Sequence, residues 1–189
     1  RSFDKAPRQR LRAYMFRTKH IRSSHDYKRL LSLMSPQLQA EMALNAHGWW
    51  LQRLRFMEDA ETQCLVDLTL ALAPVVFVPS EFAPRGSLYY IHRGTVIFHS
   101  SILISGRSWG MDCILANPAL RRQGARAVTY VEVSTIGRDA LIAVTSSYPL
   151  TYHRLRWVAI RLALVRTLLS EARSPGPTGS RPSRNDVSS

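Results

Sequence analysis

Cysteine is scarce in this sequence and long apolar runs are missing, and both absences limit the kind of protein that it encodes. Only two of the 189 residues are cysteines, Cys64 and Cys113, too few for the disulfide framework of a small secreted domain. Both have apolar neighbours, which predicts buried thiols in a reducing, intracellular compartment. No apolar stretch approaches the ~20 residues of a membrane-spanning helix, and no signal peptide opens the chain. We therefore expect a soluble piece, and its start at Arg1 suggests a longer parent protein.

Catalytic and metal-binding motifs are also missing. The sequence has no GxSxG, HExxH or Walker-type phosphate loop. Six histidines occur without metal-ligand spacing to cysteines or carboxylates: His20, His25, His47, His92, His99 and His153. Among them, His92 and His99 lie in strand-like patterns and are expected to be ordinary sheet residues. The sequence predicts a protein that is not an enzyme, with no catalytic residues, no metal site and no resident cofactor.

Acidic residues are few: 13 Asp and Glu face 26 Lys and Arg, which gives a net charge of +13. Residues 1–30 hold ten of the basic residues and two acidic ones, arranged as two amphipathic helices broken near Ser23. Such a surplus favours anionic partners, among them nucleotides, nucleic acid or an anionic membrane surface. The alternative for residues 1–30 is a solvated helix face that only makes the protein soluble, as basic runs commonly do.

Helical patterns continue up to Pro74. Ser35 and Pro36 are typical of a helix start, and Gly48 is expected to end that helix. A short apolar helix is predicted over 49–56, and another from near Asp59 to 72.

After Pro74 the apolar period changes from about 3.6 to 2 residues, which marks a switch from helices to strands. Short strands are predicted at 75–78, 88–92, 95–98 and 102–104, with a longer one over 127–136. Together these strands describe a small barrel or roll. Helices return over 138–147 and 150–172, and residues 174–189 have the Ser-, Pro-, Gly- and Arg-rich composition of a disordered tail.

The segment between Gly106 and Arg126 interrupts the strands and is too apolar for a plain loop. We expect one helical turn there, opened by Gly110 and followed by Arg121 and Arg122. Free backbone N–H groups at a helix start and a nearby guanidinium suit a phosphate. The alternative is an ordinary connection between strands with exposed arginines.

Five stretches of the chain, taken in order, resemble one family. They are YKRLLSLMSPQL at 27–38, VFVPSE at 76–81, LYYIHRG at 88–94, WGMDCIL at 109–115, and RAVTYVEV at 126–133 followed by RDAL at 138–141. In this order they are similar to the C-linker and cyclic-nucleotide-binding homology domain of voltage-gated cation channels. The resemblance is to the ether-à-go-go and hyperpolarization-activated types, with relatives in unicellular eukaryotes.

This resemblance implies an α+β fold in three parts. A helical C-linker would occupy residues 1–56, and a jelly-roll-like β-roll with C-terminal helices, the cyclic-nucleotide-binding fold, would occupy 57–173. Residues 174–189 would form the tail. The chain would then be the cytoplasmic portion of a membrane protein, a voltage-gated potassium or other cation channel. Its partners would be the other subunits of a tetramer and, for the basic first helices, anionic lipid, with no nucleic acid.

The resemblance also implies a pocket for cAMP or cGMP, formed by Gly110, Met111, Asp112, Cys113, Arg121 and Arg122. Met111 stands where the family has a glutamate that accepts the ribose hydroxyl, and a thioether is a weak acceptor. Asp112 replaces that glutamate only if the turn shifts by one residue. Arg121 takes the place of the phosphate-binding arginine, but Arg122-Gln123-Gly124 replaces the small residues expected after it.

Two functions stay open on this evidence. The first is a degenerate domain that serves channel assembly and gating after losing the nucleotide. The second is a working cAMP or cGMP sensor, in a channel, another signalling protein or a transcription regulator. A regulator would carry a helix-turn-helix after the roll, and no such motif follows Ala172.

Overall fold

The computed structural model describes residues 8–9, 11–12, 14–15, 29–31, 33–122 and 124–173. Most of the predicted basic helices at 1–30 and the whole predicted tail at 174–189 lie outside these residues. Within the described part, none of the helices combines the length and the apolar character needed to cross a membrane. The elements are helices and antiparallel sheets, which confirms the α+β class; the C-linker and jelly-roll assignments stay predictions.

The first fully described helix, α1, spans Pro36–Ala43 and begins as predicted, with Ser35 as its N-cap residue. The prediction that Gly48 ends this helix is wrong. The backbone continues through a π-helical turn, Leu44–Gly48, into α2, Trp49–Leu51, and Gly48 keeps helical angles of φ −56° and ψ −43°. A Cβ at Gly48 would lie 3.2 Å from the Leu44 side chain, so the glycine serves close packing here and not helix termination.

The predicted helix over 49–56 is shorter than expected, because residues 52–59 form turns. The chain reverses at Asp59, which has a φ of 61°, and α3 begins only at Thr62 and ends at Ala71. Arg154 donates to the carbonyl oxygen of Glu58 and pairs with Asp59 at 2.9 Å, which holds this turn against the C-terminal helix. The sequence predicted a break between these two helices, but not that all of residues 52–59 form turns.

Within the described residues, seven strands form two antiparallel sheets. The four-stranded sheet has the order β1-β7-β2-β5 and the three-stranded sheet the order β4-β3-β6. The bounds are Ala73–Phe77 for β1, Ser87–Arg93 for β2, Thr95–Phe98 for β3, Ser101–Ile104 for β4, Ser108–Trp109 for β5, Arg126–Ala127 for β6 and Val131–Gly137 for β7. The two sheets share one apolar core, to which Phe77, Ile91 and Val133 of one sheet and Val96 and Ala127 of the other contribute.

The single strand predicted over 127–136 is wrong, because residues 128–130 bend and divide it into β6 and β7. β6 pairs with β3 in one sheet, whereas β7 pairs with β1 and β2 in the other, so the chain must turn between them. The turn is held by the Thr129 hydroxyl, which accepts from the Thr95 N–H at 3.0 Å. Alternation of apolar residues continues across a bend and therefore does not reveal a change of sheet.

Two helices follow the sheets, as predicted: α4, Arg138–Ser146, and α5, Pro149–Arg173. They close a second core that also contains residues from before the sheets, including Trp50, Phe56, Met57, Leu65, Leu88, Ile114, Leu141 and Leu155. The boundary proposed between residues 56 and 57 runs through this core. That boundary stays a prediction.

Trp50 connects the early helical segment to the four-stranded sheet. Its ring stacks on Tyr90 of β2 with centroids 4.7 Å apart, and its side chain is buried. We expect Trp50→Ala to lower the free energy of unfolding by about 3–5 kcal/mol, because it removes a large buried ring. Urea denaturation measures this, with Trp157→Ala as the control, since Trp157 is 58% exposed on α5 and its removal should cost less than about 1 kcal/mol. Equal losses in both variants would contradict the packing described.

Candidate functional site

The insert between the sheets begins with Gly110 and one turn of 3₁₀ helix, Met111–Ile114, which confirms the predicted helical turn. Gly110 has a φ of 85°, in the left-handed region that favours glycine. A Cβ at this position would lie 2.2 Å from the carbonyl oxygen of Ser87. Only glycine therefore lets the start of the turn approach Ser87, the first residue of β2, so closely. A second short turn, Pro118–Leu120, follows and is capped by Asn117, whose side-chain oxygen accepts from the Ala119 N–H.

Asp112 projects from the first turn into a nearly buried position, with 9% of its side chain exposed. Its Oδ2 accepts from the backbone N–H of Arg122 at 2.7 Å and from Nη1 of Arg166 at 2.9 Å. Arg166 lies on α5 and also donates to the carbonyl oxygen of Leu120. The carboxylate thus joins both ends of the insert to the C-terminal helix, and it already holds two strong donors.

Arg121 is turned toward its own segment. Its Nε and Nη2 both donate to the carbonyl oxygen of Leu115, at 3.2 and 2.8 Å. Its Nη1 lies 2.7 Å from where a Cβ would stand on Gly86, so that glycine leaves room for the guanidinium. Arg121 therefore stabilises the insert against the loop before β2 while two of its donor nitrogens are occupied.

Met111 and Cys113 complete the turn with apolar contacts. Met111 packs against the helical core and lies beside Trp157 and Val165 of α5. Cys113 is fully buried, and burial raises the pKa of its thiol to about 12, against the opposing effect of nearby Arg121 and Arg138. Burial likewise raises the pKa of Cys64 to about 11. Both cysteines are buried thiols, as the sequence predicted.

Five of the six predicted site residues interact with one another. The Cys113 N–H donates to the Gly110 carbonyl, the Arg122 N–H donates to the Asp112 carboxylate, and the charge of Arg121 acts on the Cys113 thiol. Met111 lies on the α5 side of the turn. Sequence reasoning missed Arg166, which completes the site from 54 residues away. Arg166 is four residues after Leu162 and three before Leu169, so the sequence places it on the apolar face of α5, but it does not show that Asp112 is its partner.

Aromatic and histidine side chains form a second polar feature beside β2. Nε1 of Trp50 donates to Nδ1 of His47 at 3.2 Å, the His47 and His92 rings lie 5.7 Å apart, and Nε2 of His92 is 2.7 Å from Oγ of Ser134. Burial lowers the pKa of His92, and the nearby Glu132 carboxylate opposes this shift. This cluster joins the helical segment before Thr62 to the four-stranded sheet.

His92 is a strand residue, as predicted, but the same prediction for His99 is wrong. His99 lies in the turn between β3 and β4 with a φ of 57°. Across the described ranges, no group of three His, Cys, Asp or Glu side chains is placed to hold a metal ion.

No family model matches this chain. It is similar to the human cyclic nucleotide-gated channel alpha-3, with 27% identity over 141 residues, which covers 66% of this chain and 20% of the relative. The bovine cyclic nucleotide-gated channel alpha-2 is 26% identical over 145 residues, covering 68% of this chain and 22% of the relative. The chicken cyclic nucleotide-gated channel cone photoreceptor subunit alpha is 27% identical over 141 residues, which covers 66% of this chain and 19% of the relative.

The chain thus spans about a fifth of the length of these curated relatives. The similarity shows homology to a region of cyclic nucleotide-gated channels. The ether-à-go-go or hyperpolarization-activated type and an origin in a unicellular eukaryote stay predictions.

Gly110 and Gly106 offer a matched pair for testing the close approach at the insert. Both have a φ of 85°, but a Cβ at Gly106 would meet nothing within 4 Å. We expect Gly106→Ala to lower the free energy of unfolding by about 1 kcal/mol, from backbone strain alone. Gly110→Ala should cost at least about 2 kcal/mol more, because the methyl group overlaps the Ser87 carbonyl. Urea denaturation gives both values, and equal losses would show that the contact with Ser87 is unimportant.

The Asp112–Arg166 pair predicts a strong and local effect of removing the carboxylate charge. Asp112→Asn should lower the free energy of unfolding by about 3 kcal/mol, since it leaves the Arg166 guanidinium largely buried without its counter-charge. Hydrogen exchange should rise most in the C-terminal half of α5. Asp139→Asn is the control, because the Asp139 carboxylate is fully exposed and 3.6 Å from Arg138, and we expect no measurable change. Unchanged exchange of α5 in Asp112→Asn would contradict this role.

Proposed function

We propose that this chain is the cytoplasmic regulatory region of a cation-channel subunit, in which a cyclic-nucleotide-binding-like domain acts on the pore through the helices that precede it. Homology to a region of cyclic nucleotide-gated channels supports this proposal. The observation that carries its mechanism is the Asp112–Arg166 pair, which ties α5 to the insert.

A continuous apolar core supplies the path for such coupling. Leu155 of α5 and Ile114 of the insert belong to the same buried cluster as Leu65 of α3 and Trp50 of α2. Because packed interiors have low compressibility, a displacement of α5 from the insert requires the side chains around Trp50 to repack. The helices before the sheets would transmit that change to the pore.

The polar groups of the site favour a domain that has lost cyclic-nucleotide binding. The position expected to accept the ribose hydroxyl is Met111, whose side chain packs among apolar neighbours. The Asp112 carboxylate holds Arg166 and Arg122, and Arg121 donates twice to Leu115. A nucleotide would have to break these contacts before forming its own, which lowers its net affinity. In this proposal the Asp112–Arg166 pair keeps α5 docked with no ligand.

Finer features of the proposal follow from the sequence resemblance. The channel would be voltage-gated, tetrameric, and selective for potassium or for cations more broadly, and the partners would be its other subunits. The basic residues at 1–30 would face those subunits or anionic lipid headgroups. A parent chain without pore-forming segments would contradict the proposal.

A working cAMP or cGMP sensor is the second candidate. Its specific support is the pair of guanidinium groups, Arg121 and Arg138, close enough to Cys113 to influence its pKa. These charges would attract a cyclic phosphate. Arg121 would then have to give up its two hydrogen bonds to the Leu115 carbonyl and donate to the phosphate instead.

Calorimetric titration of the chain with cAMP and with cGMP distinguishes the two candidates. We expect no binding heat up to millimolar nucleotide, because the acceptor and donor groups are engaged internally. The same titrations are made on Arg121→Ala and on Arg107→Ala, a control that removes an exposed arginine from the turn before β5. Micromolar binding that is lost in Arg121→Ala and kept in Arg107→Ala would overturn the loss of binding and establish the sensor.

A further inference from the structure

A cleft of about 390 Å³ lies between the insert, α4 and α5, within the range of about 300–1,000 Å³ typical of small-molecule sites. Its walls are largely apolar and include Leu115, Leu120, Ile142, Leu155, Ala159 and Ala163. Ala159 and Ala163 are one helical turn apart on α5, and Ala116 of the insert also lines the cleft. Small side chains from both walls leave this volume unfilled.

The charged residues that line the cleft are both basic, Arg138 at the start of α4 and Arg156 on α5. Nε of Arg138 is buried and has no hydrogen-bond partner among the described residues. The ion pair that Arg138 makes is weak, since Asp139 is 3.6 Å away and its carboxylate is fully exposed. Arg156 lies over the Tyr152 ring, 5.9 Å from its centroid.

A buried guanidinium N–H without a partner is costly, and an ionised oxygen is the acceptor that suits it best. The apolar walls beside it exclude a purely polar anion such as free phosphate as the best ligand, because such an anion would leave most of the cleft unfilled. The chemistry that matches both features is a negatively charged head on a short apolar body.

We propose that this cleft binds an amphipathic carboxylate, such as a medium-chain fatty acid. Its carboxylate accepts from Arg138, and its chain lies between Leu115, Ile142 and the Ala159–Ala163 face of α5. The site uses none of the donor or acceptor groups of the Asp112–Arg166 pair or of Arg121. It shares Arg138 with the second candidate function, the cyclic-nucleotide sensor, so a bound nucleotide and a bound carboxylate would compete for that guanidinium.

Occupation of the cleft would also act on α5. Leu120 lines the cleft, and its carbonyl oxygen accepts from Arg166, so the ligand would contact the segment that the ion pair holds. A carboxylate bridging α4, α5 and the insert binds the docked arrangement of α5 and stabilises it by mass action. The predicted role of the ligand is to keep this helix docked.

Calorimetry with octanoate, and with octanol as its uncharged counterpart, tests the proposal on the 189-residue chain. Octanoate should bind about tenfold more tightly than octanol, because only the carboxylate pairs with Arg138. Arg138→Gln should remove this preference and leave octanol binding unchanged. Arg161→Gln is the matched control, since it removes one positive charge from α5 at a position that does not line the cleft.

A cavity-filling variant tests the location. Ala163→Phe should weaken octanoate and octanol alike by at least tenfold, and Ala159→Leu replaces it if Ala163→Phe does not fold, as judged by circular dichroism. Equal affinity of octanoate and octanol, no effect of Arg138→Gln, or no binding of either compound up to millimolar concentration would each overturn the proposal. We also expect millimolar cAMP to leave octanoate binding to the wild-type chain unchanged, because the wild-type chain should not bind cAMP.

Discussion

The ion pair between Asp112 and Arg166 joins parts of the chain that are 54 residues apart, and the arrangement of the candidate site depends on it. Both side chains are largely buried, with 9% and 16% exposed, so removing either partner leaves a charge poorly solvated. The Asp112 carboxylate also accepts a hydrogen bond from the Arg122 N–H, and the Arg166 guanidinium also donates one to the Leu120 carbonyl. A buried pair of this kind adds little net stability but fixes where α5 can dock.

Two glycines allow the segment to reach this position. Gly110 brings the start of the insert against the Ser87 carbonyl, and Gly86 leaves space for the Arg121 guanidinium. The 3₁₀ turn then presents Asp112 to α5, while Met111 and Cys113 enter the helical core. Asp112, one residue of the predicted pocket, therefore holds the C-terminal helix here, while Arg121 bonds within the insert. This is the physical basis for proposing a domain whose docked state needs no nucleotide.

Local signals predicted much of this fold. The strands β1 to β4, the turn after Gly110 and the two C-terminal helices follow from apolar periodicity and from the placement of glycine and proline. Features set by distant contacts were not predictable in this way. The strand over 127–136 divides because its halves belong to different sheets, and Arg166 acquires its role from Asp112. In each case the deciding neighbour is fixed by tertiary structure, which a sequence window does not contain.

A double-mutant cycle on Asp112→Asn and Arg166→Gln tests the central claim most directly. If the pair holds α5 against the insert, the two single variants lose stability and the double variant loses clearly less than their sum, with a coupling of about 1–3 kcal/mol in urea denaturation. Additive losses would contradict the account, because they would show that the two side chains act independently and that α5 docks without their contact.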